Sequence, residues 1–191
     1  MLLSVALMPP DHVLDDVEAM LARTPAPPGE FSWVGRSALM IPVFGLGNIT
    51  RVEVSAIATY LSDELVDPEP APRVRFAGAW ALEEEGDPTV ALPLVGEVDR
   101  VRALARNLQV LVADHGFFVD RRKFVPRLTL GSVTPTTSLP FLERLVGALA
   151  EHATPIWSVD SVALVRRRFD DDAETEIWEV VDTVSTTRDQ G

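Results

Sequence analysis

Arg127 and Thr129 stand two residues apart in Phe124 to Val133, "FVPRLTLGSV", a run with the composition of a strand. Side chains alternate along a strand, so both project from one face. A guanidinium can hold a phosphate in a two-point fork, and a neighbouring hydroxyl can donate to the same oxygens. Neither group moves a proton near neutral pH, because the guanidinium keeps its proton up to a pH of about 12. The pair therefore suits holding an anion better than proton transfer. The same two residues also have an ordinary reading, a threonine packed in a strand and an arginine paired with a carboxylate.

The other groups with chemical potential are scattered. Of the three histidines, His115 and His152 fall near the ends of helical patterns, where the helix dipole favours a cation. His12 follows the first apolar run and is the one histidine that could serve as a displaced acid or base. Arg121, Arg122 and Lys123 form one basic run and Arg166, Arg167 and Arg168 another. Alternation puts Arg166 and Arg168 on one face, where they could attract an anion or balance nearby carboxylates. The acidic runs Glu83 to Glu85 and Asp170 to Asp172 lack the alternate spacing of a calcium loop. "GLGNIT" lacks the third glycine of a dinucleotide-binding loop, since Thr50 takes its place. No metal and no cofactor are expected.

Composition narrows the classes. A chain of 191 residues that is 47% hydrophobic can bury a substantial core. A net charge of −12 opposes long nucleic acids, whose affinity rests on neutralised phosphates. Absence of cysteine removes disulfides, thiolate nucleophiles and thiolate metal sites, which fits the cytoplasm. The opening "MLLSVALMPPDHV" has no basic flank, and its apolar run stops at Pro9 and Pro10, so neither a signal segment nor a membrane segment is expected.

Periodicity supplies the elements that must position these residues. Leu2 to Met8 is a strand, followed by a helix with Val13, Leu14, Val17, Met20 and Leu21 on one stripe. "FSWV" and "ALMIPVFGL" are strands. Thr50 and Glu53 have capping-box spacing before a helix carrying Val54, Ile57, Ala58, Leu61 and Leu65. After the break "DPEPAP", strands "RVRFAGAWAL" and "TVALPLV" lead to the longest helix, which Gly116 stops. "FVPRLTLGSV" and a helix opening at Ser138 and Pro140 follow, and "IWSVDSVALVRRRF" with "TEIWEVVDTV" make a hairpin over residues 156–184. Strand, helix, strand, helix thus occurs twice, over residues 2–65 and 89–151. Arg127 lies 87 positions after Met40 and Thr129 lies 87 after Pro42, so the repeat sets "LMIPV" opposite "PRLTL". Sites between repeats commonly lie in the shared cleft.

The landmarks "LLSVALMPP", "SWV", "GLGNI", "GFFVDRRKFVPRLTL", "VDSVALVRRRF" and "IWEVV", in this order and spacing, cover most of the chain. In them the sequence resembles the two-histidine (2H) phosphoesterases, which include bacterial RNA 2′,3′-cyclic phosphodiesterases, also called 2′-5′ RNA ligases. The resemblance implies an α+β, bilobal fold over residues 1–191, with duplicated β-α-β-α halves and antiparallel sheets around a central cleft. It also implies two His-x-Thr or His-x-Ser motifs facing each other there. The first falls on Met40, Ile41 and Pro42, and the second on Arg127, Leu128 and Thr129. Both histidines are replaced, and only Thr129 keeps the motif's residue type.

Opening a cyclic phosphate needs one group to deprotonate water and another to protonate the leaving ribose oxygen, work that imidazole suits. If each contributes about 10²- to 10⁴-fold, losing both costs about 10⁴- to 10⁸-fold, roughly 5 to 11 kcal/mol of barrier. The leading expectation is a non-catalytic cytoplasmic protein that holds a nucleotide, cyclic phosphate or RNA end on Arg127 and Thr129. The alternatives are a working phosphodiesterase that uses a displaced group such as His12, and a structural or partner-binding protein whose cleft is filled by Met40, Pro42 and their neighbours.

Overall fold

The computed structural model describes residues 1–65, 70–84, 87–120, 122–170 and 175–187, with the backbone alone at 82–84, 87, 170, 175 and 176. Within them the chain forms β1 (Leu2–Leu7), α1 (Asp11–Ala22), β2 (Phe31–Trp33), β3 (Ile41–Asn48) and α2 (Arg51–Glu64). It continues through β4 (Arg73–Phe76), β5 (Trp80–Glu84), β6 (Asp87–Gly96), α3 (Val98–Asp114), β7 (Arg127–Val133) and α4 (Leu139–Ala150). β8 (Trp157–Ser158), β9 (Ser161–Asp170) and β10 (Thr175–Ser185) close it. The class is α+β, as expected, and every strand pairing is antiparallel.

Local chemistry explains several boundaries. Thr50 and Glu53 cap α2 reciprocally, the Thr50 N–H donating to the Glu53 carboxylate at 2.8 Å. At the other end of the fold, α3 stops before Gly116, whose φ of +83° suits a residue without a Cβ. Gly78, at φ +88°, divides the expected strand "RVRFAGAWAL" into β4 and β5. "IWSVDSVALVRRRF" is likewise two strands. Trp157 and Ser158 pair with β4, while β9 and β10 make the hairpin that had been expected from residue 156 onward. Of the expected acidic turns, Glu83 and Glu84 instead end strand β5 and Asp170 ends β9, while Glu85, Asp171 and Asp172 lie outside the described residues, as do Arg121 and the first half of "DPEPAP".

Two sheets result, ordered β10-β9-β1-β3 and β2-β7-β6-β4-β8, with β5 also paired to β6. The repeated units β1-α1-β3-α2 and β6-α3-β7-α4 are both present, but they exchange material. β2 belongs to the first half of the chain and hydrogen-bonds to β7 in the second sheet. One face of each sheet feeds a continuous apolar cluster with the helix stripes, including Leu3, Val5, Ile57, Leu61, Val90, Leu92, Leu108, Leu128 and Phe141. β3 and β7 come into contact where the sheets meet. No helix among the described residues is long and apolar enough to cross a membrane.

The crossing by β2 is fastened at both ends. Before it, Thr134 and Thr136 hydroxyls each donate to the Gly29 carbonyl at 2.8 Å, and the Ser138 hydroxyl and N–H donate to the Glu30 carboxylate. After it, Arg36 opens a short 3-10 turn and meets Asp11, Asp15 and Glu18 on the exposed face of α1. These carboxylates, Asp11 foremost, hold the Arg36 proton more tightly than usual. Gly131 marks how closely β2 and β7 pack, since a Cβ there would lie 2.3 Å from a Phe31 ring carbon and 2.4 Å from the Ser32 carbonyl oxygen.

Two outcomes follow from this fastening. Gly131→Ala must push β2 away from β7 and should destabilise the fold by about 1–3 kcal/mol, read as a lower urea midpoint. Glu30 is held below the ordinary glutamate range, first by the Ser138 hydroxyl and then by the Ser138 N–H. The folded chain therefore binds that proton more weakly than the unfolded chain. The resulting stability is present above the unfolded value and lost as pH falls through the folded one. The difference in Tm between the natural protein and Ser138→Ala should shrink as pH drops from 7 to below about 4.

Candidate functional site

The second half supplies the polar side. Arg127 opens β7, and Thr129 follows two residues later on the same face, opposite Pro93 and Ala91 of β6. Leu128 and Leu130 project the other way into the main cluster. Both polar residues are half-buried. Arg127 is not idle, because it already takes part in an interaction within the chain.

The first half supplies an apolar side. Met40 immediately precedes β3 and is 5% exposed, packed with Ala6, Ala163 and Val165 in a small cluster separate from the main one. Met8 and Trp178 lean on that cluster. Pro42 pairs with Ala6, which places it on the same face, and it is exposed. All four motif positions therefore lie on the sheet faces turned away from the main cluster, and the strands that carry or follow them, β3 and β7, touch. The segment after α3 runs along this seam, where the Asp120 N–H donates to the Gly45 carbonyl at 2.9 Å.

The remaining sequence candidates fall elsewhere. His12 is exposed on the first turn of α1, and no described residue hydrogen-bonds to its ring. His115 caps the end of α3, stacks on Tyr60 with ring centroids 3.7 Å apart, and meets Glu64 at 2.8 Å. His152 meets Asp16 at 2.9 Å and ties the end of α4 to α1. Arg166 and Arg168 do share a face, but both turn to Glu179, at 2.7 and 3.6 Å. They are structural partners of a carboxylate. Arg167 points the other way, beside Trp178 across the β9–β10 pair, and it too is engaged within the chain. Arg122 folds back on Asp120 at 3.0 Å. Among the described residues no cluster of His, Asp or Glu could hold a metal ion.

Among the described residues, concavities of about 690 and 460 Å³ open on the surface. The larger lies between α2, α3 and Thr186, and the smaller beside Met8 and Trp157. None of the four motif positions lines either one.

Comparison of the whole fold is decisive about architecture. The chain superposes on E. coli LigT in its apo form with a TM-score of 0.69 at 16% identity, over 98% of both chains. This chain has the LigT fold. A solved phosphoesterase matches at TM-score 0.71 and 16% identity over 98% of both chains. The TT0787 protein of Thermus thermophilus matches at TM-score 0.70 and 20% identity over the full length of both. LigT has also been solved with 3′-AMP and with phosphate. No protein-family model matches the sequence, and no curated protein matches it.

On the LigT fold, what this chain offers is asymmetric. Arg127 and Thr129 stand on one side of the seam, and the apolar Met40 cluster with Pro42 stands on the other. Sequence reasoning missed Trp80 and Trp178, one indole on the second face of each sheet. The signal was available in the alternation of "AGAWAL" and "EIWEV" but needed the pairing register to interpret it.

Packing at Met40 sets a measurable constraint. An imidazole placed there meets no described polar partner in the cluster, so Met40→His should cost about 1–3 kcal/mol. Met40→Leu, which keeps volume and apolarity, should cost less than about 1.5 kcal/mol. Urea unfolding of the two variants checks the ordering.

Proposed function

We propose that the chain is a 2H phosphoesterase, a single bilobal unit over residues 1–191, that has lost its proton-transfer groups and holds a phosphorylated small molecule or nucleotide end. Arg127 and Thr129 are the anion contact. The observation that carries this reading is their position side by side on β7 while Met40 is sealed among Ala6, Ala163 and Val165. A guanidinium and a hydroxyl can bind a phosphate, but neither they nor a thioether can exchange a proton with water and a ribose oxygen. LigT solved with 3′-AMP and with phosphate supports the ligand class. The apolar packing around Met40 favours, as the second reading, a cleft that is filled on this side and serves a protein partner.

The test uses a short RNA ending in a 2′,3′-cyclic phosphate, in metal-free buffer, and calorimetric binding of 3′-AMP. The natural protein should show no turnover and should bind 3′-AMP. Arg127→Ala should weaken that binding by about 10- to 150-fold, the loss of one charged hydrogen-bonding partner. Turnover that survives Arg127→Ala and disappears in His12→Ala would overturn the inactive reading in favour of displaced catalysis. No binding of 3′-AMP or phosphate would leave the filled-cleft reading in its place.

Restoring the motif with Met40→His, Pro42→Thr and Arg127→His is informative only when the variant's fold is verified, given the packing cost at Met40.

A further inference from the structure

Arg75 lies on the same sheet face as the proposed anion contact, and the strand register fixes this. β4 pairs with β6 so that Arg75 stands opposite Val95 and Phe76 opposite Leu94. β6 pairs in turn with β7 so that Leu92 stands opposite Leu128 and Pro93 opposite Arg127. Phe76, Leu94, Leu92 and Leu128 all belong to the main cluster. Side chains alternate along each strand and directly paired residues share a side. Arg75, Val95, Pro93 and Arg127 therefore project together from the other face.

This stretch of sheet reverses the charge of the chain. Acidic residues outnumber basic ones by 29 to 17, yet the rows from Arg75 to Arg127 hold two guanidinium groups with only Val95 and Pro93 between them. Both intervening residues are half-buried, so the surface that joins the two cations remains accessible. Arg75 itself is exposed, and among the described residues none hydrogen-bonds to or ion-pairs with its side chain. Arg73 shares the face but differs, because its N–H donates to the Glu97 carboxylate at 2.7 Å and so has an acid beside it. Arg36 and Arg166 brace the fold through carboxylates, and Arg75 does not.

Strands in a sheet lie about 4.8 Å apart and rise about 3.4 Å per residue, which sets Arg75 and Arg127 about 12 Å apart at their Cα atoms. Two side chains of this length can close from that span on a pair of phosphates joined through one ribose. We infer that Arg75 is a second anion contact, making the ligand one with two phosphate groups, a nucleoside bisphosphate or an RNA end held by its terminal phosphate and the phosphate before it. The inference rests on the phosphate-binding reading of Arg127 and Thr129 and adds what the other end of the ligand must carry. A guanidinium forks onto phosphate oxygens and reads no base, so the contact selects for the number and spacing of phosphates.

Calorimetry with adenosine 3′,5′-bisphosphate and 3′-AMP, which differ by the 5′-phosphate alone, tests this on the natural protein, Arg75→Ala, Arg75→Lys and Arg127→Ala. The natural protein should bind the bisphosphate more tightly than 3′-AMP. Arg75→Ala should weaken the bisphosphate by about 5- to 12-fold, between the upper worth of an exposed ion pair and the lower worth of a hydrogen bond to a charged group, and leave 3′-AMP unchanged. Arg75→Lys should keep part of the preference, since the charge stays while the fork is lost. Arg127→Ala should weaken both ligands. Equal binding of the two ligands by the natural protein, or a preference untouched by Arg75→Ala, overturns the second contact while leaving the phosphate reading intact. Failure of both ligands to bind overturns the phosphate reading, and the second contact with it.

Discussion

The arrangement of the seam depends on one long-range pairing, the hydrogen bonding of β2 to β7 across the boundary between the two halves. β2 is three residues long and would be a negligible strand alone. Its pairing carries the chain out of the second sheet and delivers it, through the Arg36 turn, to the start of β3 in the first. Met40 and Pro42 are set at that delivery point, and Arg127 and Thr129 lie on the strand β2 leaves. Fixing β2 thus fixes both sides of the seam relative to each other. This explains why so short a strand is braced so heavily, by the Thr134 to Ser138 hydrogen bonds before it and the Arg36 carboxylate cage after it. Each exposed ion pair there is worth little by itself, but a guanidinium shared among three carboxylates restricts the turn's orientation.

Around Met40 the packing and the chemistry point the same way. A residue that exchanges protons must reach water and a hydrogen-bonding partner, and the cluster of Ala6, Met40, Ala163 and Val165 provides neither. Methionine fills irregular gaps between small side chains well, because its unbranched thioether adapts its shape. Alanine at positions 6 and 163 leaves the volume that Met40 occupies. Met40 is therefore embedded in its surroundings, and a polar side chain placed there does not by itself create a polar site.

What the sequence made legible was local or periodic. The Thr50 and Glu53 cap is a three-residue rule, and the helix stripes repeat within one element, so both could be read without knowing the fold. The 87-residue lag set Met40 against Arg127; in the structure Arg127 opens β7 and Met40 immediately precedes β3. Strand ownership was not legible, because nothing in "FSW" or "WS" states which sheet edge it will join. Arg166 and Arg168 show the same limit. Alternation correctly put them on one face, yet which face, and the presence of Glu179 on it, depended on the register of β9 against β10.

The acidic surface bears on which phosphates the seam can accept. A chain with a net charge of −12 repels a polyanion at every phosphate that passes near it. That repulsion decays over a Debye length of about 8 Å at physiological salt, so its total grows with the length of nucleic acid lying along the surface. A single terminal phosphate meets only the local field, where a half-buried guanidinium in a region of reduced dielectric attracts it more strongly than one in bulk water. On the proposed reading, the overall charge and the Arg127 contact are then complementary. The first rejects long nucleic acid, the second holds a short anionic end, and together they discriminate by ligand length without any contact that measures length.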